Sequence, residues 1–271
     1  MQNTQGHWML KKLTLEALIR QKNVMSAVIL RDMRTRFFNH GLGFIVVPLW
    51  PLTHMAILIL IHTFAGHSVP PFGESTAVFY ATGLLPTLTF MYVSRFMGYS
   101  LLMNRPMLAF PEIRVVDVMM GRAVLEIIGT CITLFLTILA FILFGENPIP
   151  FDMEQAVFCY LATILLSVGF GTFIGVLSMF LPILVTVYAL VIIIIYISSG
   201  VVFVASALPE EIGYALSFNP VLVCVEWMRA SFYESYSERL VDRGYVIAWG
   251  MGTLLLGLAI DRIFRRQLLE A

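Results

Sequence analysis

The stretch "QAVFCYLATILLSVGFGTFIGVLSMFLPILVTVYALVIIIIYISSGVVFV", residues 155–204, contains fifty residues and no charged side chain. Its one interruption is the Leu-Pro pair at 181–182. A helix rises about 1.5 Å per residue, so roughly 20 apolar residues are enough to cross a hydrocarbon core about 30 Å thick. The stretch therefore predicts two successive transmembrane helices, at 155–180 and 183–204, with the proline at the turn between them.

The composition of the whole chain agrees with this prediction. Of its 271 residues, 59% are hydrophobic and only 13% are charged, whereas soluble domains are about half apolar and about a quarter charged. Four further apolar stretches are predicted to cross the membrane: residues 44–65, 77–94, 123–144 and 245–260, with an extension of the second of these toward Met103 as an alternative. We expect an all-α integral membrane protein with six transmembrane helices, forming a single transmembrane domain over residues 1–271.

The positive charges predict the orientation of these spans. Fourteen of the seventeen Lys and Arg residues lie before the first span, in residues 95–122, or at the C-terminus. The intervening loops at 66–76 and 145–154 have none. Because cytoplasmic loops of membrane proteins carry the excess of Lys and Arg, both termini and residues 95–122 are predicted to be cytoplasmic.

Two segments outside the spans carry further predictions. Residues 8–38 combine apolar positions at helical spacing with basic residues, a pattern typical of an amphipathic interfacial helix; the alternative is a solvated leader. Residues 205–240 hold two short helical stretches divided by Asn219-Pro220. We interpret them as a re-entrant hairpin that dips in from the outer face, with an ordinary outer loop as the alternative.

Motifs for catalysis are missing from the sequence. The three lysines, at 11, 12 and 22, do not follow a glycine, so the chain has no P-loop and hydrolyses no ATP by that route. No catalytic residue, metal ligand or cofactor is therefore predicted on this chain. The nearest candidates are His54 and His62 in the first span, and for them a polar path or interhelical hydrogen bonds are favoured over an intramembrane enzyme.

Polar side chains within the spans suggest a substrate path. Tyr188, Tyr196 and Ser199 fall on one stripe of the fifth span at 100° per residue, and Trp50 and His54 are one turn apart in the first. Such surfaces suit sugars, because sugar rings stack on aromatic side chains and sugar hydroxyls form hydrogen bonds.

In the fourth span, small residues instead favour close helix packing. Arg229 either pairs with Glu226 or faces an anionic substrate. The path candidates are Trp50, His54, Tyr188, Tyr196, Ser199 and Arg229.

The segment "NRPMLAFPEIRVVD", residues 104–117, interrupts the apolar spans. Met107, Leu108 and Phe110 offer an apolar centre, and charged residues surround it. An apolar centre with a charged rim is the usual anatomy of a protein interface. A solvated loop, which is the alternative, does not explain three large apolar residues among the charges.

Three segments carry a resemblance to a known family. They are "LRDMRTRFFNHGLGFIVVPLWPLTH" (30–54), "NRPMLAFPEIRVVDVMMGRAVLE" (104–126) and "NPVLVCVEWMRASFY" (219–233). Together with the six predicted spans, they resemble the ABC-2-type permeases of bacterial capsular-polysaccharide exporters. The segments occur in the order of that family and are spread across nearly the whole chain.

This resemblance implies a half-transporter in the bacterial inner membrane. It implies a homodimer of permeases, two separate ATPase subunits that bind ATP and Mg²⁺, a periplasmic polysaccharide co-polymerase, and a lipid-linked, usually acidic polysaccharide as substrate; no nucleic acid is implied. Export of another glycan, such as O-antigen or teichoic acid, or of a small molecule, remains an alternative. Residues 104–117 become the coupling region, whose candidates are Arg105, Met107, Leu108, Phe110, Glu112 and Arg114.

Overall fold

The computed structural model describes residues 19–34, 43–64, 69–110 and 113–270. Helix α1 covers residues 19–34 of the described chain. The helices that follow are α2 (Gly43–Phe64), α3 (Thr76–Met103), α4 (Arg105–Leu108), α5 (Val115–Phe144), α6 (Met153–Phe180), α7 (Ile183–Ile197), α8 (Glu210–Ser217), α9 (Pro220–Phe232) and α10 (Arg243–Glu270), with a 3₁₀ turn at Ala205–Ala207.

The helices make this an integral membrane protein. By length and composition, α2, α3, α5, α6 and α10 are each able to cross a membrane. Helix α7 is apolar but has only 15 residues, about 22 Å at 1.5 Å per residue, which is shorter than the hydrocarbon core. Five of the six predicted spans are therefore long enough to cross a membrane. The remaining one, the fifth in chain order, was predicted at 183–204 and is wrong at its outer end, because α7 stops at Ile197.

Helix α7 ends early because the chain turns at Gly200. That glycine has a φ of +78°, in the left-handed region that residues with a Cβ rarely adopt. The amides of Ser198 and Ser199 bond back to the carbonyls of Ile194 and Tyr196. The sequence has no charged residue at this break. A prediction from composition therefore continued the helix past it.

Two other helices have ends beyond the main predicted bounds. Helix α3 extends to Met103, the longer of its two predicted ends, whereas α5 begins at Val115, eight residues before the predicted start at 123. These turns contain charged residues, which favoured a loop in the prediction. At the start of α5, the Asp117 carboxylate accepts the backbone N–H of Arg114 at 3.2 Å, which satisfies a helix-end donor.

Helix α3 lies at the centre of the bundle and contacts α2, α5, α6, α7 and α9, while α6 packs most extensively against α10 and α3. A Cβ on Gly171 of α6 would come within 2.5 Å of the Met97 Cβ of α3. Similarly, a Cβ on Gly250 of α10 would lie 3.0 Å from the backbone N of Leu166. Small residues therefore allow close backbone approach, which confirms the packing interpretation of residues 155–180.

The segment between α7 and α10 has two unequal helices. Helix α9 packs against α3, α6 and α10, and most of its residues are buried. Helix α8 lies at the surface and buries only Gly213. The burial of α9 suits the hairpin interpretation of residues 205–240, whose depth in a membrane stays a prediction.

The amphipathic segment at 8–38 is described only over residues 19–34, which form α1. Val28 and Asp32 are buried against the bundle, whereas Ile19 and Leu30 are exposed. Gly121 of α5 makes room for this contact, because a Cβ there would lie 3.3 Å from a methyl of Val28. Placement of α1 at a membrane interface stays a prediction.

Candidate functional site

A cavity of about 570 Å³ lies between α2, α3 and α5, within the size range of ligand sites in proteins. Four aromatic side chains line it: Trp50 from α2, and Tyr92, Phe96 and Tyr99 from α3. Trp50 is 64% exposed, so its ring is available to a ligand. Of the predicted path residues, Trp50 is the one that lines this cavity.

The cavity wall includes an ionic network that fixes α1 to the bundle. Arg122 of α5 bonds Asp32 of α1 at 3.0 Å and Glu126 at 2.6 Å. Asn104 accepts a hydrogen bond from Arg31 at 2.9 Å and donates to Asp32 at 3.4 Å. Arg122 and Glu126 are four residues apart on one face of α5, a spacing at which opposite charges pair. The sequence did not predict Asp32 as a partner of Arg122, because the two residues are 90 positions apart and Asp32 lies within a segment predicted to be an amphipathic helix.

A second arginine in the cavity, Arg95, has a different environment. It is exposed and lines the cavity. It lies eight residues before the end of α3 at Met103, about 12 Å along the helix axis. Among the described residues no ion pair with Arg95 is formed.

The stripe predicted on α7 exists, but it faces other helices. Tyr188 donates to Ser94 of α3 at 2.8 Å, and Ser199 donates to the Tyr196 carbonyl at 2.7 Å. Both Tyr188 and Ser199 are buried. The half-buried Tyr196 pairs with His54 of α2 at 3.2 Å. The stripe is therefore a seam between α7 and its neighbours in this protomer, and its role as a path stays a prediction.

The two histidines of α2 are each engaged by a different tyrosine. His54 pairs with Tyr196 of α7 and His62 with Tyr80 of α3, the latter at 2.7 Å. In the part of the chain that the structure describes, no group of three or more His, Cys, Asp or Glu is placed to hold a metal ion. The geometry thus favours interhelical hydrogen bonds, as the sequence had indicated.

For the export activity that the resemblance implies, we expect the double variant His54→Gln and His62→Gln to keep at least about half of the wild-type level, because an exposed or half-buried neutral hydrogen bond contributes only about 1 kcal/mol. The measurement is the amount of exported product per cell, normalised to protein level. The single variants serve as controls for additivity. Complete loss of activity in a double variant that is still folded would support catalysis instead.

Arg229 is enclosed by the chain, and its two terminal guanidinium nitrogens are satisfied locally. Its guanidinium donates to the carbonyls of Gly200, Val201 and Phe203, each at 2.8 Å. Its Cζ atom also lies 4.0 Å from the centroid of the Phe79 ring. The nearest Glu226 carboxylate oxygen is 3.9 Å from the guanidinium, which is beyond hydrogen-bonding distance. Arg229 is fully buried, so of the two predicted alternatives the local one is correct, and its partner is mainly backbone.

Two other polar residues act on the same loop: Asn219, the N-cap of α9, and Glu226 within α9. The Asn219 amide donates to the Ile195 carbonyl at 3.0 Å and to the Ser198 hydroxyl at 2.9 Å. The Glu226 carboxylate accepts the backbone N–H groups of Ala205 and Ser206. Asn219, Glu226 and Arg229 therefore satisfy the backbone exposed where α7 ends. The three residues are separated by seven and three positions, which places them on one face of a helix. This spacing was the feature of the sequence from which their shared role could have been predicted.

Tyr236 completes this arrangement. Its hydroxyl donates to Glu226 at 2.8 Å. Burial raises the pKa of Tyr236, and the neighbouring Glu226 carboxylate raises it further. The phenol therefore stays protonated at neutral pH and remains a donor to the carboxylate.

The predicted coupling region is only partly exposed. Phe110 is 62% exposed, whereas Leu108 is 6% exposed and belongs to the core cluster that Met107 also packs against. The expected apolar centre of three residues is therefore wrong for Leu108, because the short helix α4 turns that side chain inward. Arg105 and Arg114 are exposed, and Glu112 lies outside the described residues.

Phe110 instead joins α1 in a second surface feature. Phe110 and Ile113 form a groove of about 640 Å³ with one face of α1, at residues 19–27. Ile19 at the start of this face is 50% exposed. We call these residues the α1–Phe110 groove. The sequence did not predict that residues 104–117 and the N-terminal helix share one surface.

Together, the helices and the cavity define a multi-pass membrane protein with an aromatic and charged cavity in its transmembrane bundle. No family profile matches the chain. It is, however, similar to the polysialic acid transport protein KpsM of Escherichia coli, with 27% identity over 93% of this chain and 97% of the relative.

Two other relatives cover the same extent. The capsule polysaccharide export inner-membrane protein CtrC of Neisseria meningitidis serogroup A is 25% identical over 93% of this chain and 95% of its own length. The capsule polysaccharide export inner-membrane protein BexB of Haemophilus influenzae is 19% identical over 93% and 94%. The resemblance to bacterial capsule-export permeases, predicted from three segments, is confirmed over nearly the entire chain.

Proposed function

We propose that this chain is the permease subunit of an exporter that moves capsular polysaccharide across the bacterial inner membrane. The observation that carries the proposal is the similarity, over 93% of the chain, to proteins named for polysialic acid transport or for capsule polysaccharide export at the inner membrane. The alternative, export of another glycan, has no such relative among these proteins. The chain acts as a transport subunit, not as an enzyme.

The cavity supports a sugar substrate. Aromatic rings offer flat apolar faces to sugar rings, and Tyr92 and Tyr99 add hydroxyls to the cavity that Trp50 lines. A cavity of about 570 Å³ holds only a short part of a polymer. The geometry therefore favours stepwise passage of the polysaccharide through the dimer over alternating access, in which a whole substrate molecule would be enclosed.

The partners follow from what this chain lacks and exposes. With no P-loop in the sequence, hydrolysis of ATP belongs to a separate subunit, and we place its docking surface at the α1–Phe110 groove. Two permeases and two ATPases form the transporter, with both termini on the ATPase side. A periplasmic co-polymerase continues the path outward, and the substrate is lipid-linked.

The ionic network offers a mechanical connection between these parts. Closure of the ATPase pair moves α1 through the groove. Because Asp32 of α1 is bonded to Arg122 of α5 at 3.0 Å, movement of α1 is transmitted to the wall of the cavity. Displacement of α2 and α7 then opens a continuous path through the dimer.

Co-expression with the ATPase subunit from the same cell tests this function. We expect a complex of two permeases and two ATPases to copurify in lipid nanodiscs, and surface polysaccharide to return when the chain is expressed in a strain that lacks its own capsule permease. The stoichiometry is measured by mass photometry and the polysaccharide by binding of a specific antibody. Absence of both results would contradict the proposal.

A further inference from the structure

One face of α10 packs closely against α6. Gly250, Thr253 and Gly257 lie on this face and are buried, and a Cβ on Gly257 would come within 3.0 Å of the Phe173 backbone. Asp261 follows four residues later on the same face and is only 5% exposed. The contact between the two helices therefore ends in a buried carboxyl group.

This carboxyl group lacks a partner for one of its oxygens. Oδ1 of Asp261 is buried and forms no hydrogen bond with any residue that the structure describes. A buried polar atom without a partner costs free energy of folding, and more so when its group is charged. On a regular helix the available partner is Arg265, because opposite charges four residues apart pair. The two residues nevertheless form no ion pair within the described ranges, and Arg265 is exposed.

A break in α10 separates these two residues. The backbone of Phe264 has a φ of −105° and a ψ of 15°, outside the α-helical range, and it lies within the turn that would otherwise join Asp261 to Arg265. The Phe264 ring packs edge-on against Phe180, with 5.9 Å between the ring centroids. Phe180 is the last residue of α6 and precedes the Leu-Pro turn into α7. The residue at the break in α10 thus contacts the junction of α6 and α7.

We propose that the end of α10 is a two-state switch. In the first state, which the structure shows, the helix is broken at Phe264, the two phenylalanine rings are packed and Asp261 is unpaired. In the second state, α10 continues as a regular helix, Arg265 pairs with Asp261, and Phe264 leaves Phe180, which frees the α6–α7 junction. Each state has one interaction that the other lacks, so a ligand or partner that binds one state better shifts the population. In the export mechanism the second state accompanies the displacement of α7, and for this role alone the inference rests on the proposed function.

The effect of Asp261→Asn on the melting temperature tests the switch, because the sign of this effect depends on the state. The substitution keeps the shape of the side chain and removes its charge. In the wild-type background, where Asp261 is unpaired, we expect the melting temperature to rise by about 2 °C or more. In a Phe180→Ala background, which favours the second state, the same substitution removes an ion pair and is expected to lower the melting temperature. Arg265→Gln is expected to have no effect in the first background and to lower the melting temperature in the second.

Two further variants make this measurement decisive. Arg262→Gln is the matched control, since Arg262 is also exposed but is not four residues from Asp261, and it is expected to leave the melting temperature unchanged in both backgrounds. Phe264→Ala removes the same ring contact from its exposed side and replaces Phe180→Ala if that variant does not fold. An effect of Asp261→Asn that keeps its sign in every background would overturn the switch. The melting temperatures need no export, so they test the switch even if the proposed function fails.

Export tests the role of the switch in transport. We expect Asp261→Asn and Arg265→Gln each to reduce surface polysaccharide at least about threefold, and the double variant to export no less than the single ones, because both residues act through one pair. Wild-type export by both single variants would overturn this role and would leave the proposed function intact.

Discussion

Replacing Arg229 with methionine is expected to prevent this protein from folding stably. The substitution leaves the carbonyls of Gly200, Val201 and Phe203 without their guanidinium donor and leaves Glu226 without its neighbouring positive charge. Removal of one partner from a buried charged arrangement costs about 3–5 kcal/mol, which is a large part of the about 5–15 kcal/mol that stabilises a typical protein. The measurement is the melting temperature of the detergent-purified protein, together with its yield.

A matched control is available one helix away. Arg243 pairs with Glu238 at 3.1 Å, but the two side chains are 44% and 59% exposed. An exposed pair contributes about 0–1 kcal/mol, so Arg243→Gln is expected to melt close to the wild type. If Arg229→Met melts as Arg243→Gln does and still exports, the carbonyls at the end of α7 are satisfied in another way, and the structural role assigned to Arg229 is wrong.

Most of the helical spans were predictable because bilayer crossing depends on a coarse property. A run of about 20 apolar residues is visible in any sequence, and α6, predicted at 155–180, forms Met153–Phe180. Charged residues inside a helix led the same reasoning to place the start of α5 at 123 instead of Val115. Arg122 is acceptable inside α5 because Asp32 and Glu126 compensate it, and the first of these partners comes from a distant segment.

The cavity and the end of α7 could not be predicted from the sequence, because contacts between residues that are distant in the chain form both of them. The break at Gly200 is stabilised by side chains of α9, more than 20 residues later. Similarly, Leu108 and Phe110 are equally apolar in the sequence, but only the fold turns Leu108 into the core and leaves Phe110 exposed. Long-range contacts decide which polar groups are satisfied and which apolar ones are covered.

Phe110→Asp is expected to weaken docking of the ATPase subunit and thereby to reduce export. Phe110 is 62% exposed and forms one wall of the α1–Phe110 groove, so a carboxylate there disrupts an apolar docking contact without disturbing the core. Loss of a buried aromatic anchor at an interface costs about 2 kcal/mol or more, which corresponds to at least about a thirtyfold weaker complex. We expect the ATPase to be lost during purification and surface polysaccharide to fall in parallel.

Phe218→Asp provides a control of equal exposure. Phe218 is also 62% exposed, but it follows α8, in the segment predicted to face the outer side, away from the groove. The same change of ring to carboxylate there is expected to leave ATPase copurification intact, and both variants are expected to melt close to the wild type because neither ring is in the core. If Phe110→Asp retains the ATPase and exports normally, the docking surface lies elsewhere, and the coupling role of residues 104–117 that the sequence suggested would have to be abandoned. If both variants lose the ATPase, the loss reflects the added charge in general, and the groove is again not the determinant.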